Sequence, residues 1–165
     1  RHYIGGLQAH LPAAMPLFAP YTNSYNRFEA FMSAPTNTHW GRENRTVGLR
    51  VPSSGPDARR IENRISGADV NPYLAIAASL ICGYIGMIEK TEPRAEYVSQ
   101  GYEDRERPLP ATLTESVETF ANSDVLKQYL GEGFVDTYTT IKRSEYEHRS
   151  SVLSPWDVRF LMVNV

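Results

Sequence analysis

Arginine is concentrated in one part of the chain, where it could bind anionic groups. The sequence holds fourteen Arg and only three Lys, and half of the arginines lie between positions 27 and 64. Arg presents a planar, permanently charged fork that fits carboxylate and phosphate oxygens, whereas Lys would serve a solvated surface equally well. The preference therefore predicts a site for carboxylate or phosphate. The arginines concerned are Arg27, Arg42, Arg45, Arg50, Arg59, Arg60 and Arg64.

The run from Arg60 to Arg64 carries the strongest single signal. Side chains alternate along a β-strand, so Arg60, Glu62 and Arg64 would lie on one face. Two interpretations stay open from the residues alone. The first is a surface strand with a ladder of salt bridges. The second is a site in which Glu62 binds a divalent cation while the arginines hold phosphate or carboxylate. Arg45 and Arg50 would lie on the partner strand or its ends and could point into the same site.

Composition and the missing motifs narrow the function classes. A net charge of −2 and a pI of about 6.1 disfavour a nucleic-acid binder. The sequence has no P-loop, dinucleotide fingerprint, zinc-type Cys/His spacing or nucleophile elbow. No segment reads as a signal peptide or a membrane span, and a lone Cys82 in an apolar run fits a reducing compartment. We expect a cytoplasmic protein in which Cys82 is a buried small hydrophobe.

The charged residues would be positioned by a β-hairpin. Apolar and polar residues alternate in 45–51 and again in 60–65, and the segment 52–57 between them is rich in Pro, Ser and Gly. The long segment 20–43 lacks clear periodicity and is predicted to be a loop. The sequence thus predicts a hairpin with a charged face, packed on several helices in an α+β fold.

Helical periodicity and capping residues place the helices. Residues 2–19 are mostly helical in pattern, with interruptions at Pro12 and Pro16. Asn71 is predicted to cap a helix that runs to about Lys90 and is apolar almost all round, hence buried. Residues 91–111 look like an exposed loop. Further helices are predicted to begin at a Thr112-x-x-Glu115 capping box and at Ser123, to span 134–152, and to begin again at 154–157.

Four short motifs follow one another along the chain: NSYNR (23–27), NRTVGLRVP (44–52), ARRIENR (58–64) and NPYL (71–74). Their order resembles that in glutamine synthetases, and we interpret residues 1–165 as the C-terminal portion of such a catalytic domain. The similarity is good over residues 3–90, and the remainder matches as a helical tail. The resemblance implies an α+β catalytic domain whose curved sheet holds Mg or Mn ions between ATP and glutamate.

The resemblance also implies roles for individual residues. Arg27 and Arg64 match ligands of the glutamate substrate. Arg45, Arg50 and Arg60 match residues that handle the phosphates of ATP, with Arg45 and Arg64 as the catalytic pair. Glu62 matches a metal ligand near those phosphates. The other metal ligands and a small β-grasp domain lie upstream in such enzymes, so this chain, which begins at Arg1 rather than Met, is expected to be an inactive fragment of a homo-oligomeric ring, a dodecamer or similar.

The acceptor that attacks the activated glutamate is suggested by departures from the family pattern. Ammonia-using relatives carry a flap glutamate directly before an Ala-Pro pair, whereas Ser33 stands before Ala34 here; Glu29 is nearby but out of register. Asp57 replaces a Lys that bacterial enzymes often carry near the nucleotide. The run beginning at Trp40 resembles the γ-glutamylpolyamine synthetase branch. These features favour an organic amine over ammonia; an inactive family member and an unrelated RNA-binding module are the alternatives.

Overall fold

The computed structural model of the chain describes residues 1–29, 32, 34–104 and 109–162, and Ser33 lies outside these residues. Within them, the chain forms five α-helices and a small three-stranded sheet. The helices are α1 (His2–His10), α2 (Pro72–Glu89), α3 (Leu113–Ala121), α4 (Asp124–Leu130) and α5 (Glu132–Ser150), and the strands are β1 (Trp40–Arg42), β2 (Leu49–Val51) and β3 (Glu62–Asn63). The mixed α and β content agrees with the predicted α+β class.

The sheet is smaller than the sequence predicted and contains an additional strand. β2 and β3 are antiparallel, with Leu49 opposite Asn63 and Arg50 opposite Glu62. The predicted strand 45–51 therefore begins four residues too early but ends correctly at Val51, and the predicted strand 60–65 is too long at both ends. β1, which lies in the predicted loop, pairs in parallel with β2. A three-residue strand is too short to show an alternating pattern in its own sequence. Its parallel pairing depends on residues elsewhere in the chain, so β1 could not be predicted from residues 40–42.

The chain between β2 and β3 leaves the sheet, which explains the short pairing. Residues 53–60 are exposed, and Pro56–Ala58 form a 3₁₀ turn. The Arg60 side chain donates to the backbone oxygen of Ala58 at 3.3 Å rather than joining a ladder. Arg60 and Arg64 thus lie outside β3, so the predicted strand 60–65 is too long, and a face shared by both arginines with Glu62 stays a prediction.

Helices α1 and α2 pack unusually closely because glycines face each other. A Cβ atom on Gly6 would lie 2.3 Å from the backbone oxygen of Cys82 and 2.6 Å from the Cα atom of Gly86. Cys82 is fully buried at this contact, and burial raises the pKa of its thiol to about 12, as expected for a structural cysteine. α1 ends at His10, two residues before Pro12, as the sequence predicted.

The beginning and end of α2 were predicted correctly, but its environment was not. The Asn71 side chain accepts hydrogen bonds from the backbone nitrogens of Tyr73 (3.0 Å) and Leu74 (3.4 Å). Lys90 ends the helix in a left-handed conformation. Among the described residues α2 is also the one helix long and apolar enough to span a membrane, by length and composition alone. Its face away from α1 is exposed, so the prediction of a helix buried all round is wrong; the exposed residues are Tyr73, Ile76, Leu80, Tyr84, Met87 and Ile88.

The C-terminal helices follow their predicted capping residues. Thr112 accepts from the backbone nitrogen of Glu115 at 3.2 Å, and Ser123 from that of Leu126 at 3.3 Å. The Glu115 carboxylate accepts from Ala111 rather than Thr112, so the capping box is incomplete. α5 was predicted over 134–152 and is found two residues earlier at both ends. The last turn, Asp157–Leu161, is a π-helix that begins close to its predicted start.

Candidate functional site

The centre of the site is an ion pair between neighbouring strands. Arg50 and Glu62 are directly opposite each other on β2 and β3. The Arg50 Nη1 atom donates to both carboxylate oxygens of Glu62, at 3.1 Å and 3.0 Å. The Arg50 side chain is 14% exposed and that of Glu62 is 33% exposed. The Glu62 carboxylate is partly open to solvent and can bind a hard cation, and the adjacent Arg50 guanidinium can bind an anion.

Glu43 is a second carboxylate on Arg50, and sequence analysis missed it. The Arg50 Nη2 atom donates to a Glu43 carboxylate oxygen at 2.6 Å, and the backbone nitrogen of Ser53 donates to the other oxygen. The Ser53 hydrogen bond and then the Arg50 hydrogen bond lower the pKa of Glu43. Glu43, and after it Glu62, raise the pKa of Arg50. No motif marks Glu43, because its partner Arg50 is found only after β1 and β2 have paired.

The loop that carries Arg45 is fixed by the buried amide of Asn37. The Asn37 Nδ2 atom donates to the backbone oxygens of Thr46 (3.3 Å) and Gly101 (3.2 Å). Its Oδ1 atom accepts from the backbone nitrogens of His39 (3.0 Å) and Gly48 (3.2 Å). Asn37 is completely buried, so these four bonds satisfy its amide without water. The segment around Gly101, predicted to be an exposed loop, instead holds the site loop in place.

Arg45 itself is exposed and lies beside Glu43. Both residues line a cleft of about 380 Å³, whose opposite wall includes Glu96 and Val98. Asn44 closes one end of the cleft, since its Nδ2 atom donates to the backbone oxygens of Tyr97 and Ser99, both at 3.0 Å. The structure therefore brings Arg45 near the Arg50 ion pairs through Glu43. Arg60 is exposed on the segment between β2 and β3.

Arg27 and Arg64 are brought together at the edge of the sheet. The Arg27 Nη2 atom donates to the backbone oxygen of Ile65, the residue that follows Arg64. Its guanidinium also lies 4.2 Å from the centre of the Phe28 ring. Partial burial lowers the pKa of Arg27, and the charge of Asp69 opposes that shift. The backbone nitrogen of Arg64 donates to Gly48 at 2.9 Å, so Arg64 lies next to the beginning of β2.

The turn that carries Arg27 is held from the other side by Asp69. The Ser24 hydroxyl donates to Asp69 at 2.5 Å, and a Cβ atom on Gly67 would lie 3.1 Å from the Arg27 Nη2 atom. Glycine at position 67 therefore leaves room for the guanidinium. Two motifs that are forty residues apart in sequence, NSYNR and the segment after RIENR, thus form one unit.

The residues considered for the acceptor are dispersed. Ser33 lies outside the described residues. Glu29 is exposed and lines a cavity of about 400 Å³ with Phe28 and Arg149, and Asp57 lies in the exposed 3₁₀ turn. Trp40 lines a different cavity, of about 750 Å³, and its indole nitrogen donates to the backbone oxygen of Arg94 at 2.7 Å.

Metal-binding groups are sparse in this part of the chain. Among the described residues no three His, Cys, Asp or Glu side chains come together as a metal site. Glu62 and Glu43 are the carboxylates next to Arg50, and both offer the oxygen ligands that Mg²⁺ and Mn²⁺ prefer. The predicted role of Glu62 as a metal ligand stays a prediction.

Comparison with known proteins identifies the family. The model of the glutamine synthetase catalytic domain matches residues 1–161. Type-1 glutamine synthetase 2 of Dictyostelium discoideum is 38% identical, over 99% of this chain and 32% of that protein. Gamma-glutamylputrescine synthetase of Escherichia coli is 34% identical over 98% of this chain and 34% of its own. Gamma-glutamylethanolamide synthetase of Streptomyces coelicolor is 35% identical over 96% and 34%.

The chain spans about a third of the length of these relatives. They include a glutamine synthetase and two enzymes named for γ-glutamyl products of amines. The comparisons therefore identify the enzyme family but do not distinguish ammonia from an organic amine as the acceptor. The match over almost the whole chain agrees with the four sequence motifs and with the arginine site built on β2 and β3. The chain belongs to the glutamine synthetase catalytic-domain family.

Proposed function

We propose that this chain is the C-terminal part of the catalytic domain of an ATP-dependent ligase that joins the γ-carboxylate of glutamate to an amine. The observation that carries the proposal is the Arg50–Glu62 pair across β2 and β3. In this proposal the Arg50 guanidinium neutralises phosphate and the adjacent Glu62 carboxylate binds a divalent metal, and phosphoryl transfer uses both kinds of group. The Arg45 loop and the Arg27–Arg64 unit flank this pair.

The overall reaction consumes ATP, glutamate and an amine, and yields ADP, phosphate and a γ-glutamyl amide. The glutamate γ-carboxylate first takes the terminal phosphoryl group of ATP, forming γ-glutamyl phosphate and ADP. The amine nitrogen then attacks the acyl carbon, phosphate leaves, and the nitrogen loses a proton. Arg45, Arg50 and Arg60 neutralise the phosphate oxygens, while Arg27 and Arg64 hold the carboxylates of glutamate.

A divalent ion, Mg or Mn, fits the donors that are present. Glu62 supplies carboxylate oxygens and is a third exposed. When bound, the ion neutralises charge on the ATP phosphates. One carboxylate is not a complete site, so the remaining ligands come from the part of the enzyme outside these residues. We accordingly expect residues 1–165 alone to bind metal weakly and to be inactive.

We further propose that the acceptor is an organic amine rather than ammonia. Ammonium is small and needs a close carboxylate that binds it and removes its proton. Ser33 stands where ammonia-using relatives carry a glutamate, and a larger amine can gain affinity from its hydrocarbon portion instead. Relatives named for putrescine and ethanolamide products support this choice. Ammonia is the second candidate, because a glutamine synthetase is also among the relatives.

The test is phosphate release by the full-length protein with ATP, glutamate and Mg²⁺ or Mn²⁺. Ammonium, putrescine, ethanolamine and a simple alkylamine are compared by kcat/KM. We expect the organic amines to exceed ammonium, and Ser33→Glu to lower amine turnover. The highest kcat/KM with ammonium would show that the protein is a glutamine synthetase in the strict sense. No glutamate-dependent phosphate release with any acceptor would favour an inactive family member.

The full-length protein is also proposed to be a cytoplasmic homo-oligomeric ring, a dodecamer or similar. This proposal rests on the family resemblance; the exposed apolar face of α2 needs a covering surface, which either the rest of the chain or a neighbouring subunit would supply. Sedimentation velocity measures the assembly directly. A full-length protein that sediments as a monomer would contradict it.

A further inference from the structure

Glu43 has a backbone conformation that glutamate rarely adopts. Its φ angle is 51°, and within the described residues the other non-glycine residue with positive φ is Lys90, which ends α2. Left-handed backbone costs free energy for any residue with a side chain, so Gly or Asn is the usual choice there. A glutamate kept in this conformation indicates that its side chain is used, because strain of this kind clusters at functional sites.

Glu43 is anchored by both its backbone and its side chain. Its backbone nitrogen donates to the oxygen of Val51 at 3.1 Å. One carboxylate oxygen accepts from the backbone nitrogen of Ser53, and the other accepts from Arg50 at 2.6 Å. The carboxylate therefore joins the end of β1 to the end of β2, and it fixes the Arg50 guanidinium from the side opposite Glu62.

Arg50 contacts two carboxylates, and one of them, Glu62, is also the proposed metal ligand. Glu62 is the proposed metal ligand, and a divalent ion on Glu62 draws electron density from the oxygens that Arg50 contacts and repels the guanidinium. The Arg50–Glu62 pair would therefore weaken if Glu62 held such an ion. Glu43 is not involved in that change and continues to hold Arg50.

We propose that Glu43 is a positioning residue that keeps the Arg50 guanidinium oriented toward the ATP phosphates while Glu62 binds the metal ion. This inference rests on the proposed ligase function, and it adds a residue that the arginine motifs do not contain. Removing the Glu43 charge also leaves Arg50 more electropositive, which by itself would strengthen phosphate binding. Orientation is expected to outweigh that gain, since a guanidinium released from one side can rotate away from the position that phosphate needs.

The experiment compares two variants with the wild-type full-length enzyme at saturating metal. Glu43→Gln removes the charge and keeps a similar shape, and Glu43→Gly removes the side chain and relieves the backbone strain. Glu118→Gln is the matched control, because Glu118 is also a half-exposed carboxylate that pairs with an arginine (Arg143, 2.9 and 2.7 Å), but it lies on α3 and does not contact Arg50. KM for ATP, KM for glutamate and kcat are measured for each.

We expect both Glu43 variants to raise KM for ATP by about fivefold, the loss of roughly one charge-assisted hydrogen bond at a half-exposed site, with KM for glutamate unchanged. Partial misfolding would lower the concentration of active enzyme, and thus the apparent kcat, without changing either KM. An unchanged or lower KM for ATP in Glu43→Gln, or wild-type behaviour of Glu43→Gly, would overturn the inference. If the wild type itself shows no glutamate-dependent phosphate release, the proposed function fails first and the role of Glu43 fails with it.

Discussion

Replacing Asn37 with alanine should loosen the Arg45 loop without disturbing the rest of the chain. The amide makes four hydrogen bonds to backbone groups and is completely buried. A hydrogen bond of this kind contributes about 1 kcal/mol. Three of the four are 3.2 Å or longer, so we take the total as about 3 kcal/mol. Since about 1.4 kcal/mol is a factor of ten, opening of the loop should become roughly 100-fold more frequent.

Hydrogen–deuterium exchange of the full-length protein measures this opening directly. The backbone amides of His39 and Gly48 donate to Asn37, so peptides covering 37–50 report the loss. Asn122→Ala is the control, because its side chain makes a single hydrogen bond, to Glu118, at the end of α3. In Asn122→Ala, the exchange rate of backbone amides at the end of α3 should change about threefold or less. Acceleration of under tenfold in 37–50 would refute the view that Asn37 holds this loop.

Three further predictions concern the metal ligand, the helix contact and acid stability. Glu62→Ala in the full-length enzyme should lower metal-dependent ATP turnover by about 100-fold or more, and near wild-type turnover would remove Glu62 as a ligand. Gly86→Ala should lower the free energy of unfolding by about 2 kcal/mol or more, because the new Cβ atom would lie 2.4 Å from backbone atoms of Gly6. Gly133→Ala is the control: its Cβ atom would have nothing within 4 Å, so it should be neutral or slightly stabilising in a thermal melt. The pKa of Glu43 is lowered in the folded chain, so the ionised Glu43 side chain stabilises the fold fully above its ordinary pKa of 4.5. That stabilisation is lost as the pH falls through the lower pKa of the folded state. Glu43→Gln should therefore show a smaller fall in melting temperature between pH 5 and 3 than the wild type.

The helices whose ends depend on local chemistry were predictable from the sequence. Asn71 followed by Pro72 determines the beginning of α2, because an amide oxygen and a preset φ angle act within one turn. Thr112 and Ser123 act in the same way for α3 and α4. The family was also accessible, since its motifs are short runs that are read in order along the chain.

Burial was predictable only in part. The apolar pattern of α2 correctly indicated a helix that packs against others, and Cys82 lies on its buried side. The same pattern could not show which face has a neighbour, and Ile76 and Leu80 are more than half exposed as a result. An apolar composition indicates that a helix tends to be buried, but which of its faces pack against other elements depends on the tertiary structure.

The sequence by itself determined the residue types of the site: a set of arginines and one glutamate in RIENR suited to phosphate, carboxylate and metal. Only the tertiary structure decided how they meet. It pairs Glu62 with Arg50, leaves Arg60 outside β3, and adds Glu43 and Asn37, which no motif marks. The reason is physical: alternation along a strand is local, but the length of a strand and the partner of each charge depend on which segments, distant in sequence, pair with it.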